Sequence, residues 1–412
     1  MEFIADFHIH SKYSRATSRD MDVAHICEWA KLKGISLMGT GDFTHHLWLE
    51  ELKSKLESTG KGLFIHDGIN FILSAEISCI YSKNNRAYRI HNVILAPSFK
   101  AVDAINKTLG AIGNLASDGR PILGLDASDL AHIIFDIDEG CMVIPGHIWT
   151  PWFSLFGSMS GFDRIQDCFE KETDKIFALE TGLSSDPAMN WRLSALDRFS
   201  LVSNSDSHSP SKIGREANVF NCELDYYQIR DALRSKDKKS FLYTIEFFPE
   251  EGKYHYDGHR LCGIRFSPQE TAAHHNICPK CRKPLTIGVM SRVDKLADRP
   301  QGFVPDNSIP YKSLVPLVEI IADAKGLSKA SVLLEKDYRM MIARLGTEMD
   351  ILLKIPRREL EIAAHPRVAE GIERVRQGRV NVAPGYDGEY GIVSIFGKED
   401  VNSGKEEQMS LF

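Results

Sequence analysis

The sequence predicts an α/β protein: a strand–helix barrel, then a small cysteine-bearing module, then a mainly helical region. Two observations carry the first part. Short apolar runs alternate with helix-period segments over about the first 245 residues, and His, Asp or Glu stands at the end of nearly every run. A third observation ends the barrel. Residues 246–290 are rich in Gly, His, Pro and Cys, and from about residue 312 the pattern turns helical.

The strand-like runs are residues 2–7, 35–39, 71–76, 92–96, 141–145, 176–180 and 199–204. Seven strands at this spacing suit a closed or nearly closed barrel. Helical periodicity covers residues 23–33, 101–116, 187–197 and 226–236, and the first of these stops at Gly34, a residue suited to the left-handed C-cap. Further on, helices are expected at 314–325, 331–345 and 368–378, with a short strand at 349–353. Pro384-Gly385-Tyr386-Asp387-Gly388 reads as a loop, and the chain after 398 is polar. The expected organisation is therefore a barrel over 1–248, a cysteine module over 249–290, a helical domain over 291–397 and a flexible tail over 398–412.

The 412 residues are 43% hydrophobic and 26% charged, which excludes a disordered chain. No stretch approaches the roughly 18 apolar residues of a membrane span, and no basic run precedes an apolar one at the start. A soluble cytoplasmic protein with no membrane partner is expected. Cys27, Cys79, Cys141, Cys168 and Cys222 are scattered through apolar surroundings, as reduced core cysteines are. The net charge of −6 gives no global nucleic-acid signal, but it is uneven. Residues 282–380 are net basic, and Arg357, Arg358, Arg374, Arg376 and Arg379 are candidates for phosphate contacts or for a solvated helix face.

Asp6-Phe7-His8-Ile9-His10 closes the first strand, and alternation puts residues 6, 8 and 10 on one face. Later strand ends bring Asp42, Glu76, His91, His147, Glu180 and Asp206-Ser207-His208. In a strand–helix barrel these ends share the active face. So many ligand-type side chains exceed the needs of one ion, and two or three divalent ions with bridging carboxylates are expected. Ions of this kind (Zn, Mn or Mg) activate water and hold phosphate oxygens, so no Ser or Cys nucleophile is required.

Asp-Phe-His-Ile-His-Ser, the Gly41-Asp42 turn, Ser-Ala-Glu-Ile-Ser and Ser-Asp-Ser-His resemble the four motifs of the polymerase and histidinol phosphatase (PHP) superfamily. The resemblance implies a distorted (β/α)7 PHP barrel over residues 1–245 and a trinuclear site. It implies His8, His10, Glu76, His91, His147, Asp206 and His208 as ligands, with Glu76 a bridge. Asp42, His45 and Glu180 are candidates for catalytic roles, without an assigned general base. Two departures stand out: Phe43 follows Asp42 where the pattern has His, with His45 two residues on, and Arg15-Ala16 occupies a region where another His is common.

His259-x2-Cys262 and Cys278-x2-Cys281 have the spacing of a zinc ribbon with one Cys replaced by His. Such a set is closed and structural, one zinc stapling a small module. His255, His274 and His275 compete with His259 for the fourth position.

The order barrel, ribbon, helical region and Pro-Gly-Tyr-Asp-Gly-x-Tyr-Gly, together with residues 180–192, is similar to the endonuclease Q family. That resemblance implies a metal-dependent endonuclease nicking DNA on the 5′ side of deaminated bases (uracil, hypoxanthine, xanthine) and at abasic sites. An enzyme that inspects a base edge unstacks it into a pocket. Ser184, Ser185, Asp186, Asn190 and Trp191 follow the strand ending at Glu180 and are placed to read a base, although Asp186 and Asn190 equally suit a helix cap. Trp149 and Trp152 are candidates to stack on DNA or to fill the core, and Tyr386 belongs to the C-terminal loop. The chain ends Gln408-Met409-Ser410-Leu411-Phe412, which resembles the peptide that binds the bacterial β sliding clamp, with Gln408, Met409, Leu411 and Phe412 as anchors. Two other functions compete: a PHP-type small-molecule phosphatase, and a non-catalytic DNA or clamp adaptor.

Overall fold

A computed structural model describes residues 1–328 and 331–397. The centre is a mixed 11-stranded sheet. Strand Glu2–Asp6 pairs in parallel with Leu37–Gly39, which pairs in parallel with Ile69–Lys83. On its other edge Glu2–Asp6 meets Ala217–Asn221 antiparallel, followed by Phe241–Glu246. Ala178–Glu180 and Ser200–Val202 form a separate parallel pair. The expected α/β class is present, but the sheet is mixed, and its pairings do not trace a uniformly parallel seven-strand barrel.

The main departure is a hairpin. The expected strands 71–76 and 92–96 are parts of Ile69–Lys83 and Arg86–Ala96, paired antiparallel from Leu73↔Ala96 to Lys83↔Arg86. The turn is Asn84-Asn85, both with positive φ (53° and 60°), the backbone of a tight turn matched to strand twist. This hairpin matters for the site, because Glu76↔Val93 and Ser78↔His91 are neighbouring pairs. Glu76 and His91 therefore share a face on a diagonal.

Helix Val23–Lys33 starts at Asp22, which accepts from the His25 amide, and ends at Gly34 with φ 85°. A side chain at Gly34 would also strike Thr347. The expected strand at 349–353 is instead the helix Glu348–Leu353. Thr347 caps it by accepting from the Asp350 amide, and Met349, Ile351 and Leu352 bury at helical rather than alternating spacing. The predicted helix 187–197 breaks into Pro187–Asn190 and a short 3-10 turn, Ser194–Leu196.

Beyond the ribbon, Tyr311–Ser313 returns to the main sheet beside Phe241–Glu246. Helices Val332–Leu345 and Glu348–Leu353 pack against Val23–Lys33. There Lys33 Nζ lies 2.7 Å from Glu348 Oε2, both side chains almost fully buried. Glu348 also accepts from the Leu317 amide and the Tyr338 hydroxyl.

Candidate metal centre

The ends of the strands converge on two groups of ligand atoms that share Glu76. The first is His8, His10, Glu76 and Asp206; the second is Glu76, His91 and His147. His10 Nε2 lies 3.2 Å from Glu76 Oε2 and 3.1 Å from Asp206 Oδ1. His8 Nε2 lies 3.5 and 3.7 Å from the same two oxygens. On the other side, Glu76 Oε1 lies 2.6 Å from His91 Nδ1 and 3.0 Å from His147 Nε2.

The donor set fits divalent cations. His8 Nε2, His10 Nε2 and Asp206 Oδ1 are buried and none makes a hydrogen bond. Orphaned buried polar atoms are rare and costly, and three of them facing one another is what a cation would satisfy. Nitrogen and carboxylate oxygen ligands suit zinc or manganese. Burial disfavours a charged Glu76, yet the charges of His91, Arg120 and His8 hold its carboxyl well below the usual range. Burial likewise opposes protonation of His8, while Glu180 and Glu76 pull its pKa well above normal.

Two carboxylates orient the candidate ligands His8 and His10. His8 Nδ1 is 3.0 Å from Glu180 Oε1, and His10 Nδ1 is 3.0 Å from Asp42 Oδ1. Each pairing turns the opposite nitrogen of its ring toward the centre. The oxygens of Glu180 also accept from the Asn204 side chain and the His147 amide. Asp42 Oδ2 accepts from the Ser11 amide, the Ser11 hydroxyl and the Ser14 hydroxyl. Both carboxylates are saturated, an arrangement suited to orienting imidazoles rather than moving protons. The turns are strained: Asp42, His147 and Asp206 all have positive φ (50°, 29° and 45°).

The remaining expected residues are placed as follows. His208 donates through Nδ1 to the Asp206 carbonyl, and its ring lies 4.5 Å from that of His10, beside the converging atoms rather than among them. His45 stacks on Tyr13 at 4.4 Å and belongs to neither ligand group, and Phe43 is fully buried in the core. His259, Cys262, Cys278 and Cys281 come together as a third group. Of the competing histidines, His274 stacks on Phe266 and His255 is buried beside a cavity.

Several residues considered for base or DNA contact serve the fold. Asp186 caps helix Pro187–Asn190, Ser185 donates to the Thr181 carbonyl, and Asn190 accepts from the buried Trp149 indole. Trp191 packs on Tyr311. Tyr386 lies against Gly258, so the loop around it closes over the ribbon. Arg357 pairs with Glu361, Arg374 with Glu370, and Arg376 caps helix carbonyls at Ile351, Leu352 and Ile355. Arg358 is exposed. Gln408, Met409, Leu411 and Phe412 lie outside the described residues.

A largely apolar cavity of about 420 Å³ adjoins the centre, lined by Thr150, Trp152, Phe153, Ser184, Tyr254 and His255 among others. Two of its walls touch ligands: Thr150 bonds His147 at 3.2 Å, and the Phe153 ring is 5.0 Å from that of His91. His255 is pushed down to about 4 by burial, so its ring is neutral near pH 7, and its Nδ1 has no hydrogen-bond partner.

Comparison with known proteins matches this geometry to a family. The crystal structure of the lesion-specific endonuclease PfuEndoQ from Pyrococcus furiosus superposes with a TM-score of 0.86 at 31% identity, over 98% of this chain and 99% of that one. The chain belongs to the endonuclease Q family. A second structure, endonuclease Q with a 27-mer duplex substrate carrying an abasic lesion at the active site, gives a TM-score of 0.85 at 30% identity, covering 97% of this chain and 98% of that one. Residues 316–379 match the model of the MJ0043 C-terminal domain. Protein MJ0043 of Methanocaldococcus jannaschii is 34% identical over 60% of this chain, which spans 31% of that relative's length. YqxK of Bacillus subtilis is 28% identical over 94% of this chain and 98% of its own.

In this endonuclease Q family member, sequence reasoning missed three residues. Arg120 donates to Glu76 Oε2 at 3.0 Å, Asn204 fixes Glu180, and His255 borders the cavity. Arg120 and Asn204 carry no motif signal. In the sequence His255 reads only as a competitor for the fourth zinc position, because its distance from the cysteines is invisible in one dimension.

Proposed function

We propose that this chain is a metal-dependent DNA repair endonuclease that nicks on the 5′ side of deaminated bases (uracil, hypoxanthine, xanthine) and abasic sites. The observation that carries the reading is an apolar cavity two of whose lining residues, Thr150 and Phe153, contact His147 and His91 of a two-group candidate metal centre. A phosphodiester at the centre would have its neighbouring base within reach of that cavity. Extruding a base costs a few kcal/mol, least where pairing is already weak. Aromatic walls at Trp152, Phe153 and Tyr254 offer stacking, and Ser184 and His255 offer hydrogen bonds to a base edge. The similarity to endonuclease Q bound to an abasic duplex supports DNA as the substrate.

His8, His10, Glu76, Asp206, His91 and His147 would hold two divalent ions, and His208 is the remaining candidate ligand for a third. Bound ions would supply Lewis acidity toward phosphate oxygens and activate water. The chain's own part is to orient His8 through Glu180 and His10 through Asp42, and to place Glu76 between the two groups. One structural zinc would be held by His259, Cys262, Cys278 and Cys281. Residues 408–412 are assigned to binding the bacterial β sliding clamp, which would keep the enzyme cytoplasmic and near the nucleoid. Among the described residues no helix is long and apolar enough to cross a membrane.

The test is incubation of the full chain with Mn²⁺, Mg²⁺ or Zn²⁺ and duplexes carrying a single uracil, hypoxanthine, xanthine or abasic site. Nicks 5′ of the lesion, absent from the undamaged duplex, are expected. Turnover of phosphate monoesters with all duplexes intact would instead make it a PHP-type phosphatase. Metal analysis finding about one zinc per chain and no nicking would make it a non-catalytic adaptor.

A further inference from the structure

We propose that Arg120 is a built-in cation of the metal centre and contacts the phosphate that is cleaved. The inference rests on the phosphodiesterase reading above, and no motif marks the residue.

Arg120 reaches the centre from a loop that is wedged into it. The Asp118 side chain accepts from the amides of both Arg15 and Arg120. The Gly119 amide donates to the Tyr13 carbonyl, and the Gly119 carbonyl accepts from Thr44. The Pro121 carbonyl accepts from the Ser78 amide, two residues along the strand from Glu76. A Cβ at Gly119 would lie 2.4 Å from both Asp42 Oδ2 and Ser14 Oγ, so the loop approaches as closely as a backbone can. The guanidinium is thus delivered to a fixed place. It donates to Glu76 Oε2 at 3.0 Å, on the side of Glu76 shared with His8 and His10.

Charge and exposure say what the rest of the guanidinium is for. Asp42, Glu76, Glu180 and Asp206 surround the centre. Among the described residues, Arg120 is the Lys or Arg that forms a salt bridge with one of them. Two dications would balance four carboxylates, leaving nothing to offset an incoming phosphodiester, whose negative charge is redistributed onto its oxygens during cleavage. Neutralising Glu76 alone would be served by a fully buried partner, yet the Arg120 side chain is 28% exposed while Glu76 is not exposed at all. One nitrogen engages Glu76, and the planar fork has further N–H donors in fixed geometry for a phosphate oxygen. A donor already in place stabilises developing charge without reorganisation.

Arg120→Gln and Arg120→Lys in the full-length chain test this. Three quantities are read: Mn²⁺ stoichiometry and affinity by calorimetry, binding of inorganic phosphate to the Mn²⁺-loaded protein, and hydrolysis of bis(4-nitrophenyl) phosphate. Thermal melting controls for folding. For Arg120→Gln we expect Mn²⁺ affinity within about threefold of the parent, phosphate binding weaker by about tenfold or more, and diester turnover lower by about 100-fold or more. Arg120→Lys should recover part of both losses, because it restores the charge without the fork. Unchanged phosphate binding in Arg120→Gln overturns the proposal. So does a fall in Mn²⁺ affinity that accounts for the whole loss, since Arg120 would then serve only to hold Glu76. Neither phosphate nor the small diester carries a lesion, so a parent protein that ignores lesion-bearing DNA would sink the repair reading and leave this comparison to decide on Arg120.

Discussion

At the residue scale, the centre depends on side chains that would not touch an ion. Asp42 and Glu180 each hold an imidazole through Nδ1. Losing such a partner commonly costs about 10–100-fold in metal affinity. Asp42→Asn should show a loss of that size, because an amide keeps an acceptor at only one of the Oδ1 and Oδ2 positions and puts an NH2 donor against His10 or against the Ser11 and Ser14 donors. Calorimetric titration with Mn²⁺ checks it, and parent-like affinity would remove Asp42 from the orienting pair. Gly182 makes a steric prediction. Its φ is +62°, and a Cβ there would come within 2.4 Å of His147 Cβ. Gly182→Ala should destabilise the protein by about 1–3 kcal/mol and weaken metal binding by displacing His147. A urea melt coincident with the parent's would contradict this. Such residues are hard to read in a sequence: Gly182 looks like any loop glycine, and Asn204 like any strand-end amide.

At the element scale, the ribbon is the clearest case of a local pattern that specifies its own module. Hairpin strands Asp257–His259 and Ile264–Phe266 bring His259 near Cys262, and the knuckle 278–281 completes the group. The module then forms one wall of the cavity through Tyr254 and His255, and Tyr254 meets Trp152 of the other wall at 5.3 Å. Cys278→Ser should therefore release zinc and abolish lesion nicking while Mn²⁺ binding at the centre persists. If zinc leaves and nicking survives at the parent rate, the module has no part in the cavity's function. The long hairpin Ile69–Lys83/Arg86–Ala96 is the opposite case. Its first half was legible as a strand, but its extension past Glu76 was not, because Tyr81 to Arg89 mixes polar and aromatic residues without clean alternation. The turn signal, Asn84-Asn85, was there to be found.

At the scale of the whole molecule, the helical region is tied to the sheet side of the fold by buried charge. Lys33→Met would leave Glu348 buried without its cation, and breaking such a pair costs about 3–5 kcal/mol. Adding Glu348→Gln should recover much of that, because Gln keeps an acceptor for the Leu317 amide and its NH2 can donate to the Tyr338 hydroxyl oxygen. Denaturant titration of the single and double variants checks both steps, and equal destabilisation by the two would show that the pair is not the source. The tail makes a prediction of another kind. Deleting residues 408–412 should abolish binding to a bacterial β clamp and leave nicking of a short duplex unchanged; loss of nicking would show that the peptide serves the enzyme itself.

The sequence by itself determined the α/β class, the His, Asp and Glu at the strand ends and the four clustered positions His259, Cys262, Cys278 and Cys281, because each is written in spacing: two residues per strand repeat, two between the members of each knuckle. Tertiary structure alone decided which of those ligands converge. It put Glu76 between two groups, turned Asp42 and Glu180 outward to orient histidines, left His45 on Tyr13, and brought Arg120 in from a loop with no motif. It also placed His255 in a cavity wall instead of among the clustered His and Cys side chains of the ribbon. The reason is physical: periodicity records which face a side chain occupies, whereas convergence depends on turns, close backbone approaches and buried pairings between residues far apart in the chain.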